Sequence, residues 1–125
     1  MNGKGRLGKA GEDEVCRFLL AKGHTVLERN WRAGHLEIDI ISIAPDGIHF
    51  VEVKSRTTPV QGEPEDAVNA VKQKHIAKAA LRYITLRKKE LGENLEIFLD
   101  VAAVTFDGGD VRINYFPAAF VPIYV

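Results

Sequence analysis

The sequence has few of the features that would cross-link the chain or place it in a membrane. It contains one cysteine, Cys16, which cannot form a disulfide within the chain. No apolar run approaches the roughly 20 residues that a helix needs to cross a bilayer. The basic stretch of residues 1–9 is not followed by the apolar segment of a signal peptide. We therefore expect a cytoplasmic protein in which Cys16 is a buried thiol and not a nucleophile.

The sequence also lacks an excess of charge of either sign. Its 17 basic and 17 acidic residues give a formal net charge of zero, so the whole chain does not show the basic surplus common in nucleic-acid-binding domains. Any surface that binds a polyanion must therefore be local. The length of 125 residues fits one globular domain over residues 1–125.

Hydrophobic periodicity and turn residues divide the chain into helices and strands. They predict helix one over 8–22, strands over 24–31, 36–43 and 48–54, a loop over 57–64, helix two over 65–91, and strands over 95–106 and 111–116. The order α-β-β-β-α-β-β predicts an α/β fold in which helices flank a mixed β-sheet.

Charged residues interrupt two of these otherwise apolar strands. Because side chains alternate along a strand, Glu37 and Asp39 are expected on one face of the second strand, opposite positions 36, 38 and 40. Glu52 and Lys54 are likewise expected together on the third strand, opposite positions 51 and 53. An unpaired buried charge costs several kcal/mol, so these groups need compensation.

The length of the turn decides whether the two charged faces meet. A two-residue turn at Asp46 and Gly47 would bring Asp39 near Glu52 and Lys54. Two converging carboxylates repel unless a cation lies between them, and oxygen ligands favour Mg²⁺ or Mn²⁺. A neighbouring lysine could then assist attack on a phosphodiester. The alternative is an exposed strand face carrying weak Glu–Lys pairs, and spacing alone does not decide between them.

The residues of this cluster resemble a nuclease core. Residues 34–41 (GHLEIDII) and 50–56 (FVEVKSR) are similar to the PD-(D/E)XK motif, in which one strand carries an acid and the next carries Glu-x-Lys. The chain more closely resembles the YraN-like family of bacterial proteins, which is similar to archaeal Holliday-junction resolvases. This longer resemblance also includes residues 8–12 (GKAGE), 27–32 (LERNWR) and 71–74 (VKQK).

The resemblance implies a restriction-endonuclease-like fold and a Mg²⁺- or Mn²⁺-dependent endonuclease acting on DNA, with branched or structured DNA as a candidate substrate. Asp39 and Glu52 would hold the metal, Lys54 would be the catalytic lysine, and Glu12 would be a further acid from helix one. For Glu12 an alternative has equal weight, because acids near the start of a helix interact favourably with its dipole.

Helix two carries the predicted nucleic-acid contacts. The resemblance supports Lys72 and Gln73, and Arg56 follows the Glu-x-Lys motif as a third contact. Lys78 and Arg82 lie further along the helix, where a solvated surface is favoured. Two other functions stay open: a nucleic-acid-binding module of the same fold that does not cut, and an enzyme acting on another phosphate ester.

Residues 118–125 (AAFVPIYV) are unusually apolar, so they are expected either to pack along an edge of the domain or to become buried in a second copy. On the second alternative we predict a homodimer. Static light scattering at micromolar protein concentration measures the mass directly, and the mass of a monomer would rule the homodimer out.

Overall fold

The computed structural model describes residues 5–59 and 69–120, which form one mixed five-stranded sheet with a helix on each face. This arrangement confirms the predicted α/β architecture and the predicted order of elements. In chain order they are α1 (Arg6–Ala21), β1 (Thr25–Ala33), β2 (Leu36–Ala44), β3 (Gly47–Thr57), α2 (Ala70–Leu86), the short α3 (Lys88–Leu91), β4 (Ile97–Asp107) and β5 (Asp110–Phe120).

The strands lie side by side in chain order, from β1 to β5. Every neighbouring pair is antiparallel except β3 and β4, which are parallel. Parallel neighbours require a long crossover connection, and α2 lies within this one. None of the helices in the described part of the chain is long and apolar enough to cross a membrane.

Two apolar clusters fill the space between the sheet and the helices. The α1-side cluster is centred on Val15, Cys16, Leu19, Ile40, Val51, Ala102 and Val104. The α2-side cluster is centred on Ile38, Ile41, Ile48, Phe50, Ile76, Ala80, Tyr83 and Leu99. Cys16 is buried as predicted, and burial raises the pKa of its thiol, which is the opposite of what activates a nucleophilic cysteine.

Several element boundaries differ from the predicted ones. Helix two ends at Leu86, because Arg87 leaves the helical conformation (φ −110°, ψ 18°) before α3 begins. β3 continues to Thr57, where the loop over 57–64 was expected to start. Residues 60–64 of that loop, 65–68 of helix two and 121–125 of the apolar segment lie outside the described residues.

β5 is longer than the predicted strand over 111–116 because it continues past a proline. Pro117 is tolerated at the edge of a sheet, and Ala118 follows it with a φ of +49°. The backbone N–H of Ala118 donates to the Asp100 carboxylate at 2.8 Å. The pairing of β4 with β5 shifts register in this region. The buried Asp100 side chain therefore holds a bulge, beyond which β5 continues to Phe120.

The turn between β2 and β3 lies one residue earlier than predicted. Ala44 pairs with Gly47, so the turn residues are Pro45 and Asp46. The predicted even number of turn residues is confirmed. The position of the turn matters because the register that it sets, continued one residue past Ile40 and Val51, places Asp39 opposite Glu52. Gly47 has a φ of +147°, and a Cβ there would lie 2.4 Å from the Glu96 carbonyl oxygen, so β3 must begin at a glycine.

A buried polar network holds this turn against the rest of the sheet. The two ring nitrogens of His49 lie 2.6 Å from Asp100 Oδ2 and 2.8 Å from Asp46 Oδ1, and the Tyr115 hydroxyl donates to the same oxygen of Asp100. Burial alone would lower the pKa of His49, but the hydrogen bonds to Asp100 and Asp46 outweigh it and raise that pKa. His49 therefore links the turn, β3 and β4 through its contacts with two carboxylates.

The contact between α1 and β3 is close enough to require a glycine. A Cβ on Gly11 would lie 1.7 Å from Ser55 Oγ and 3.0 Å from Ser55 Cβ. We predict that Gly11→Ala separates α1 from β3 and lowers the free energy of unfolding by about 1–3 kcal/mol, as measured by urea denaturation.

A double-mutant cycle identifies the cause of that loss. Ser55 Oγ is buried and has no hydrogen-bond partner among the described residues, so Ser55→Ala alone should change stability by less than about 0.5 kcal/mol. In the double variant it should restore part of the loss. If the two effects are simply additive, the overlap of these two residues is not the reason for the destabilisation.

Candidate functional site

The site lies where β2 and β3 separate in the middle of the sheet. Their pairing ends at Ile40 opposite Val51, whereas β2 continues beside β1 and β3 continues beside β4. Beyond this fork the backbone of β3 loses β2 as a hydrogen-bonding neighbour. The Asp39 side chain takes over that role, because its Oδ2 accepts a hydrogen bond of 2.8 Å from the Val53 N–H. The fork therefore holds a carboxylate in a fixed position.

The fork also breaks the side-chain alternation of β2. Ile38 and Ile41 both belong to the α2-side cluster, and Ile40 belongs to the α1-side cluster. The prediction that positions 36, 38 and 40 share a face was therefore wrong. The alternation is lost where β2 parts from β3, and β1 is irregular at the same level, since Asn30, which lies between the partners of Ile40 and Ile38, has a φ of +52°.

Asp39 and Glu52 meet at this fork. Their side chains are almost fully buried, with 5% and 6% of the residue surface exposed, and the two carboxyls share a hydrogen bond. Burial, and then the charge of Asp39, raise the pKa of Glu52 to about 7, although Lys72 opposes the shift. Near neutral pH the pair therefore needs a proton or a cation to stay together.

Lys72 supplies a positive charge to the pair from α2. Its Nζ lies 3.1 Å from Glu52 Oε2. The helix begins just before it, at the N-cap residue Asn69, whose side chain accepts a hydrogen bond of 2.9 Å from the Lys72 N–H. Lys72 was predicted as a nucleic-acid contact, and its ion pair with Glu52 was missed. No local signal could have revealed it, because the pairing depends on how α2 crosses the sheet.

Lys54 lies on the same face of β3 as Glu52. Val51 and Val53 pack in the α1-side cluster, as predicted, so Glu52 and Lys54 point to the opposite face, on which α2 packs. β3 keeps a regular register with β4 as far as Thr57, which extends this face to Arg56. Both Lys54 and Arg56 are half-buried. Gln73 is also half-buried, next to Lys72 on α2.

Glu12 approaches the sheet from the α1 face. It is buried, with 2% of its surface exposed, and its carboxylate lies 3.7 Å from the Arg29 guanidinium. The alternative reading, a favourable interaction with the helix start, is not supported because α1 begins at Arg6 and has no acid in its first turn. The role of Glu12 as a further catalytic acid stays a prediction. In the structure the Arg29 guanidinium provides a counter-charge to the Glu12 carboxylate.

The donor atoms of the pair suit a hard divalent cation. Within residues 5–59 and 69–120, no three His, Cys, Asp or Glu side chains are grouped to hold a metal ion. Mg²⁺ is often bound by only one or two protein carboxylates and keeps several waters. Two buried carboxyls that repel each other fit such an ion, and they offer no soft nitrogen or sulfur ligand.

Comparison with known proteins identifies the family. The model of "Uncharacterised protein family UPF0102" matches residues 11–107. The chain belongs to the UPF0102 family. This is the YraN-like family that the sequence motifs predicted, and the match covers the larger part of α1 as well as the residues of the fork.

Relatives match the UPF0102 chain over nearly its whole length. A UPF0102 protein of Bacteroides thetaiotaomicron is 34% identical over 116 residues, which are 93% of each chain. One of Thermodesulfovibrio yellowstonii is 40% identical over 114 residues, covering 91% of this chain and 95% of the other. A solved structure, a repair endonuclease from Pyrococcus abyssi, matches with a TM-score of 0.39 and 16% identity, over 85% of this chain and 42% of that one.

The raised pKa of Glu52 makes a prediction about stability. Glu52 has a folded-state pKa of about 7, above its usual 4.5, so the folded protein holds this proton more tightly than the unfolded chain does. The resulting loss of stability is absent below about pH 4.5, grows as pH rises from there to about 7, and is complete above about 7. Glu52→Gln should therefore raise the free energy of unfolding at about pH 8, by at most about 3 kcal/mol, and have little effect at about pH 5.

Urea denaturation in the presence of EDTA measures both values. The exposed Glu90 of α3 provides the control, since Glu90→Gln removes a carboxylate from solvent and should give the same small change at both pH values. A Glu52→Gln variant that gains no stability at about pH 8 relative to about pH 5 would show that burial does not penalise the charge of Glu52.

Proposed function

We propose that this UPF0102 protein is a metal-dependent endonuclease that hydrolyses phosphodiester bonds in DNA, with Mg²⁺ or Mn²⁺ held by Asp39 and Glu52. The observation that carries the proposal is the buried carboxyl pair at the fork, with Lys54 next on the same face. The resemblance to the PD-(D/E)XK core gives these residues corresponding roles. Family membership and the mixed sheet are consistent with that resemblance.

Each residue has a role that follows from its environment. Asp39 is fixed by the Val53 N–H and presents a preset oxygen ligand. Glu52, with a pKa of about 7, loses its proton when a cation approaches. The Lys54 ammonium orients the attacking water or stabilises charge on a phosphoryl oxygen. A bound Mg²⁺ or Mn²⁺ would supply Lewis acidity at the phosphate and a more acidic water.

DNA is the proposed partner because local positive charge surrounds the acid pair although the chain is neutral overall. Arg56 extends the face of β3, and Lys72 and Gln73 present polar groups from α2. Such groups contact backbone phosphates and position a duplex without reading its sequence. Branched or structured DNA is the substrate we favour, on the resemblance to junction resolvases, and the cytoplasm is the proposed location.

The ion pair of Lys72 with Glu52 favours one other candidate function. It gives the acid pair a counter-charge without any metal, as would suit a nucleic-acid-binding module of the same fold that does not cut. The two functions differ in metal binding and in DNA cleavage, so measurements of these two properties distinguish them.

Calorimetric titration with Mn²⁺ tests the metal site. The wild type should bind Mn²⁺, and both Asp39→Asn and Glu52→Gln should weaken binding at least about tenfold, because each removes one of two charged ligands. Glu90→Gln should bind as the wild type does. If the two site variants retain wild-type affinity, Asp39 and Glu52 do not hold the metal.

Cleavage of labelled DNA with Mg²⁺ tests the chemistry on four-way junctions, linear duplexes and single strands. Lys54→Met should lower the rate about a hundredfold or more while leaving Mn²⁺ affinity nearly unchanged, whereas Lys74→Met, an exposed position on α2, should cleave nearly as fast as the wild type. A wild type that binds DNA without binding Mn²⁺ and cleaves none of the three would support the non-catalytic alternative.

A further inference from the structure

The Lys72 ammonium lies beside a carboxylate oxygen that could bind the proposed metal ion. Its Nζ is 3.1 Å from Glu52 Oε2, one of the oxygens that the proposed function assigns to the metal. An ammonium and a divalent cation at the same carboxylate repel each other, so each weakens the binding of the other. Lys72 and the metal are therefore competitors for Glu52.

The two partners of the ion pair differ greatly in their freedom to move. The Glu52 side chain is 7% exposed and belongs to β3 in the middle of the sheet, whereas the Lys72 side chain is 48% exposed. A lysine has a long flexible stem and three donors that can point in many directions. When a cation reaches Glu52, the group that can move away is therefore the half-exposed Lys72 side chain.

The backbone of Lys72 stays in place while its side chain moves. The Lys72 N–H is bound by the N-cap side chain of Asn69 at 2.9 Å, and one turn later Ile76 and Ala77 are buried against the sheet. The released ammonium therefore remains beside the acid pair. A phosphate brought to a metal at Asp39 and Glu52 would lie within its reach, and lysine binds phosphate as a point charge.

We propose that Lys72 is an exchangeable counter-ion of the acid pair: its ammonium neutralises Glu52 until a divalent cation binds there, and it then transfers to a DNA backbone phosphate. This inference rests on the proposed metal site. It makes Lys72 a positioning residue that couples the binding of metal and DNA. A bound metal would release the Lys72 ammonium to contact a phosphate, and a bound phosphate would hold that ammonium away from Glu52. By linkage each ligand then strengthens the binding of the other.

The first test is the affinity for Mn²⁺ in the absence of DNA, by calorimetric titration. Lys72→Met keeps the length of the side chain and removes the competing charge, so it should bind Mn²⁺ about tenfold more tightly than the wild type. The matched control is Lys74→Met, which removes an exposed charge from the same turn of α2 and should stay within about twofold of the wild type.

The outcomes separate this inference from the proposed function. If the wild type binds Mn²⁺ and Lys72→Met binds it no more tightly than Lys74→Met does, the exchange is wrong and the metal site stands. If the wild type binds no Mn²⁺, both are wrong.

The second test is whether the contribution of Lys72 to DNA binding depends on metal. A labelled four-way junction is titrated in EDTA and in Ca²⁺, with all variants in a Lys54→Met background so that the DNA stays intact. In EDTA, Lys72→Met and Lys74→Met should bind equally within about twofold, because Lys72 is engaged with Glu52. In Ca²⁺, Lys72→Met should bind about fivefold more weakly than Lys74→Met.

A purely structural role for Lys72 would not produce this dependence on metal. The same ratio between the two variants in EDTA and in Ca²⁺ would show that Lys72 does not transfer to DNA, and would overturn the proposal. A larger deficit of Lys72→Met in EDTA than in Ca²⁺ would overturn it as well.

Discussion

The hydrogen bond from the Val53 N–H to the Asp39 carboxylate is the interaction on which the candidate site depends. β2 and β3 part after Ile40 and Val51, and a buried N–H left without a partner would be costly. Asp39 satisfies that donor at 2.8 Å and so allows the sheet to open. The same contact fixes the carboxylate beside Glu52, so the opening of the sheet and the assembly of the acid pair have one cause.

The electrostatics of the pair follow from its burial. Two carboxyls with little access to water cannot both ionise without a nearby cation, and Lys72 brings a positive charge to Glu52. The pKa of Glu52 of about 7 reflects the balance of burial and Asp39 against Lys72. If the proposed metal site exists, such a pair would respond to protons, to divalent cations and to the position of α2, and this would couple metal binding to nucleic-acid binding.

A second polar group preserves the register on which this geometry depends. His49 joins Asp46 in the turn to Asp100 on β4, and Gly47 makes the close approach to Glu96. A turn placed one residue later would set Asp39 opposite Lys54 and not Glu52. The network therefore supports the acid pair from a distance, although none of its members belongs to the pair.

The sequence by itself determined the α/β order and the family, and it indicated that Asp39 lies near Glu52 and Lys54, because strand alternation and an even turn length are local properties. The position of the turn, which sets Asp39 opposite Glu52 and not Lys54, was decided by the tertiary structure. It also indicated Lys54, which follows Glu52 on a regular strand. Only the tertiary structure decided the irregular alternation around Ile38 and the ion pair of Lys72. These depend on where β2 leaves β3 and on how α2 crosses the sheet, and such long-range packing has no signature in neighbouring residues.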